Sequence, residues 1–62
     1  MDSSATKFQK IYANLPLSQR NEIVVVIDNE PLTWNAARIE VDNDTKKGKQ
    51  ILEILVKLKI IQ

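Results

Sequence analysis

A chain of 62 residues is far shorter than the length at which chains divide, so residues 1–62 are expected to form a single domain. With 44% hydrophobic and 27% charged residues, one Gly and two Pro, the composition is that of a globular chain with a real core. Cysteine and histidine are both absent, which excludes disulfides, Cys/His zinc sites, thiol nucleophiles and histidine bases, and leaves packing or association as the means of reinforcing so small a core.

The net charge of +1 is unevenly spread. Residues 1–44 carry Lys7, Lys10, Arg20 and Arg38 against Asp2, Glu22, Asp28, Glu30, Glu40, Asp42 and Asp44, whereas residues 45–62 carry five lysines against Glu53 alone. The chain is therefore acidic for most of its length and basic at its end. No apolar run reaches the ~20 residues that span a bilayer, and Met1-Asp2-Ser3-Ser4 has no secretory character, so no membrane and a cytoplasmic location are the expectation.

In chain order, Phe8, Ile11, Tyr12 and Leu15 fall at helical spacing behind Ser3 and Ser4, either of which suits an N-cap; Pro16 ends the helix they predict at about Asn14. Ile23-Val24-Val25-Val26-Ile27 is β-branched throughout and predicts a strand. Asp28-Asn29 tolerate positive φ, so a tight hairpin leads into Glu30-Pro31-Leu32-Thr33, a short edge strand because Pro31 has no N–H to give a ladder. The alternative is a helix over residues 18–27, which makes the chain an all-α, four-helix arrangement.

Thr33 caps a helix from Trp34 to about Asn43 with Trp34, Ala37 and Val41 on one face. Asp42-Asn43-Asp44 breaks it, and the carboxylates there are placed to cap a last helix running from Thr45 or Lys46 to about Ile60. Gly48 weakens its first turn, and Glu53–Lys57 forms an i, i+4 pair. The fold class read from this order is α+β: a helix, a β-hairpin and two C-terminal helices.

Locally, Val24 to Thr33 resembles the hairpin-then-helix segment of parvulin-type folding chaperones; about ten residues are covered, and the likeness implies a local shape and no function. Gly48, Ile51, Leu52, Leu55, Leu58, Ile60 and Ile61 form a pattern that resembles the last helix of winged-helix regulators, without the β-wing that follows it in that family.

On a helical wheel the apolar residues of the last helix take up well over half the circumference, more than the ~100° a core-facing stripe needs. Ile51, Leu55, Val56, Leu58 and Ile61 are therefore read as an interface for a second copy, giving a homodimer, or for a partner protein. Neither a metal nor a cofactor is implied. The stretch from Asp42 has calcium-loop character only at its ends, since Lys46 and Lys47 stand where such a loop needs an oxygen ligand and a glycine. Asp28 and Glu30 are solvated turn acids, and no nucleophile elbow or phosphate cradle is present, so an enzyme and a small-molecule substrate are not expected. The alternative function is nucleic-acid binding by Lys46, Lys47 and Lys49, cations that oppose the helix dipole at the start of the last helix.

Overall fold

In a computed structural model describing residues 3–61, the chain folds as α1 (Ser4–Asn14), a 3₁₀ turn (Leu17–Asn21), β1 (Ile23–Ile27), β2 (Glu30–Thr33), α2 (Trp34–Asp42) and α3 (Lys46–Lys57). This is the α+β order read from the sequence, with strand and not helix over residues 23–27. The 3₁₀ turn is an addition to it, started where Pro16 fixes the chain in an extended conformation after α1.

Each helix starts in the same way. Ser3, Thr33 and Thr45 lie in extended backbone, and their hydroxyls accept the N–H of Thr6, Ala36 and Gly48, three residues on. The cap of α3 is thus a threonine, not the carboxylates of Asp42 and Asp44. Thr45 also binds backward: its N–H reaches the carbonyl of Glu40 at 3.3 Å, and its hydroxyl lies 2.6 Å from Glu40 Oε1. One residue closes α2 and opens α3.

The ends of α2 and α3 also share a geometry. Asp44 (φ 52°) and Lys59 (φ 60°) are left-handed. In α2 the N–H groups of Asp44 and Thr45 bond to the carbonyls of Val41 and Glu40; in α3 those of Lys59 and Ile60 bond to Val56 and Leu55. Both are Schellman closures made without the usual glycine. The second one shortens the last helix, which stops at Lys57 and not near Ile60, and it turns the chain so that Ile61 swings back and is buried.

The hairpin is closed by Asp28 (φ 52°) and Asn29 (φ 66°), both at the positive φ of a type I′ turn, with Ile27 paired to Glu30 and Val26 to Pro31. A two-residue loop makes the Ile27–Glu30 pair the hydrogen-bonded one, so Val26–Pro31 falls at a non-bonded position. The missing N–H of Pro31 therefore costs no ladder bond. Val24 is an extra residue, a bulge between the Ile23–Thr33 and Val25–Leu32 pairs.

Phe8, Val25, Ile27, Leu32, Ala37, Val41, Ile51, Leu55 and Ile61 form one buried core. Phe8 lies at its centre, with the Trp34 ring 5.6 Å and the Tyr12 ring 6.5 Å from its own.

Candidate interaction surface

The five residues read as an interface do not stay together. Ile51, Leu55 and Ile61 are 0–1% exposed inside a single molecule. They are core, and the docking face assigned to them is corrected accordingly. The wheel could not separate Ile51 and Leu55 from their neighbours because apolar residues stand all round the helix, and it could not place Ile61 because the folding-back of that residue depends on the left-handed Lys59. Val56 and Leu58 remain outside at 45% and 61% exposed, joined by Ile60 at 40%.

Val56 also lines a groove of about 550 Å³ between the start of α1 and α3, with Ser4, Lys49, Leu52, Glu53 and Lys57. Its floor is apolar and its rim carries both signs of charge. Polar tips around an apolar floor are the usual make-up of a contact patch.

The three lysines read as a nucleic-acid site diverge. Lys47 reaches the hairpin, its Nζ 2.6 Å from Glu30 Oε1, and the adjacent carboxylate holds its ammonium above the ordinary lysine value. Lys49 faces the α1 groove, and Lys46 is exposed. Lys47 therefore fastens α3 to β2.

Sequence reasoning did not identify the two arginines of the acidic half as a group. The Arg20 and Arg38 guanidinium carbons lie 4.4 and 5.0 Å from the Tyr12 ring centre, and Tyr12 Oη donates to Asn35 Oδ1 at 2.5 Å. Asn35 in turn donates to Asn21, and Arg38 pairs with Asp42 at 3.4 Å. No spacing rule joins positions 12, 20, 21, 35 and 38, so only the packing of α1 on α2 and the 3₁₀ turn could reveal it. Arg20 also donates to the Ala13 carbonyl at 3.5 Å near the end of α1, which makes it a clasp on that helix.

Among the described residues no helix is long and apolar enough to cross a membrane, and no three His, Cys, Asp or Glu side chains meet as a metal site. Compared with protein-family models, curated proteins and solved structures, the chain matches none.

Proposed function

We propose that the chain is a non-enzymatic interaction module that pairs with a second copy of itself through the exposed side and C-terminal end of α3. The observation that carries this is that Val56, Leu58 and Ile60 stay 40–61% exposed after Ile51, Leu55 and Ile61 have filled the core. Of these, Val56 lines the groove beside Leu52, where Lys49, Lys57 and Glu53 form the rim. In a two-fold pairing Glu53 of one copy can face a lysine of the other, so the same patch is complementary to itself. A stable interface buries ~800 Å² per partner. On a molecule with 4353 Å² of surface, that requires the groove and the exposed C-terminal end of α3 together.

Sedimentation equilibrium of the full chain from micromolar to millimolar concentration tests this. A dimer is expected, with Val56→Glu and Leu58→Glu shifting it to monomer while the circular dichroism stays unchanged. A wild-type chain that remains monomeric at millimolar concentration overturns it.

A second reading rests on one arrangement: α2, a short turn and α3 follow one another as helix, turn and helix, with Lys46 and Lys49 exposed near the start of the second helix. Nucleic-acid binding of this kind requires affinity for duplex DNA that falls steeply with salt and drops when both lysines become glutamate. Absence of binding at low salt removes it.

A further inference from the structure

The two edges of the hairpin are not alike. On β2 the position facing outward opposite Val26 is Pro31, which has no N–H, so that edge offers an incoming strand no donor there. On β1 the corresponding residue is Val26, whose N–H and C=O both point away from β2 because the pair is a non-bonded one. No charged residue or proline interrupts Ile23–Ile27, and Ile23 and Val26 are 60% and 58% exposed. Natural sheets usually blunt such an edge. Here β2 lacks the donor, whereas β1, though bulged at Val24, keeps a donor and an acceptor facing outward at Val26.

The open edge faces a groove of about 330 Å³ lined by Val26, Ile27, Asp28, Gln50, Glu53 and Ile54, so its walls are strand β1 and helix α3. Ile54 supplies an apolar wall. The carboxylates of Asp28 and Glu53 are exposed, and neither takes part in the ion pairs of Lys47 or Arg38.

We propose that this groove binds an extended segment of another protein, bearing apolar and lysine or arginine residues, which adds to β1 as a third strand. Backbone bonds to Val26 set its position, an apolar side chain covers Ile54, and its cations meet Asp28 and Glu53. A second copy of this chain fits poorly: residues 21–30 carry Glu22, Asp28 and Glu30 and no lysine or arginine, so a β1–β1 pairing brings no cation to Asp28 or Glu53. The site shares Glu53 alone with the groove at Val56 and does not depend on the dimer reading.

The test is an NMR titration of the ¹⁵N-labelled full chain with a capped peptide alternating valine and lysine, and with the same peptide carrying glutamate for lysine. The expected result is a shift and slowed exchange of the Val26 amide with the lysine peptide, and affinity at least ten-fold lower for the glutamate peptide. Val26→Lys and Asp28→Asn, both at exposed positions and the second keeping a residue that tolerates positive φ, should each weaken the lysine peptide about ten-fold with the remaining spectrum unchanged. Shifts centred away from β1, or equal binding of the two peptides, overturn the proposal. Concentration-dependent shifts of the Val26 amide without peptide overturn its choice of occupant.

Discussion

A Cβ placed on Gly48 would lie 2.5 Å from the carbonyl oxygen of Glu40 and 2.8 Å from its carbon. The residue that looks from sequence like a weak point in α3 is where the α2 backbone crosses closest to it. In an exposed helix, Gly→Ala gains about 1 kcal/mol. Here the atoms in the way are main chain and cannot rotate aside, so Gly48→Ala should destabilise by about 2–4 kcal/mol in urea unfolding. A neutral or stabilising Gly48→Ala would disprove this account of the α2–α3 contact.

The opposite sign is expected at the left-handed closures. Lys59 holds φ 60° with a Cβ that strains that conformation, so Lys59→Gly should stabilise by about 1 kcal/mol, roughly 5 °C in Tm. Asp44→Gly should gain less, because aspartate tolerates this region better than lysine. Thermal melts of the two variants check both the sign and the order.

Leu55 and Val56 are neighbours in sequence with opposite roles. Leu55 is fully buried beside Phe8 and Ile51 in the core, and Leu55→Ala should cost about 2–5 kcal/mol. Val56→Ala should change stability by less than about 1 kcal/mol at a position 45% exposed. Equal losses in denaturant unfolding would show that the helix faces were assigned wrongly.

The Lys47–Glu30 contact gives a pH signature. Because Glu30 raises the Lys47 pKa above its ordinary 10.5, the folded state holds this proton more tightly than the unfolded one. The contribution is whole below about pH 10.5 and is lost as pH rises through the higher folded value. Glu30→Gln should remove that alkaline dependence and leave the curve at neutral pH nearly flat, the effect being small and screened by salt as for any exposed pair. Urea midpoints of both proteins across the alkaline range measure it.

Much of the fold was legible because local chemistry decided it. Ser3 and Thr33 precede helices as caps, β-branching at Ile23–Ile27 favours the strand, and Asp28-Asn29 accept the backbone of the turn, whereas the cap of α3 fell to Thr45 in place of the expected Asp42 and Asp44 carboxylates. The interface was less legible, for a physical reason. Apolar residues surround α3, and which of them turn inward is set by how the other elements pack on it, while the burial of Ile61 depends on Lys59 adopting a backbone conformation that lysine rarely takes. The end of α3 was missed for that reason too. The group around Tyr12 and the open edge of β1 both arise from contacts or pairings between separate elements, to which periodicity along the chain is blind.

The packing of Trp34 on Phe8 also fixes what light can report. As the chain has one tryptophan, its emission follows the docking of α1 against α2. A fluctuation that peeled the hairpin tip from α3 would leave that signal dark, whereas a probe attached near Lys47 would register it. Two such dyes of different colour, read together, would show whether the molecule melts in one event or opens first at its strands.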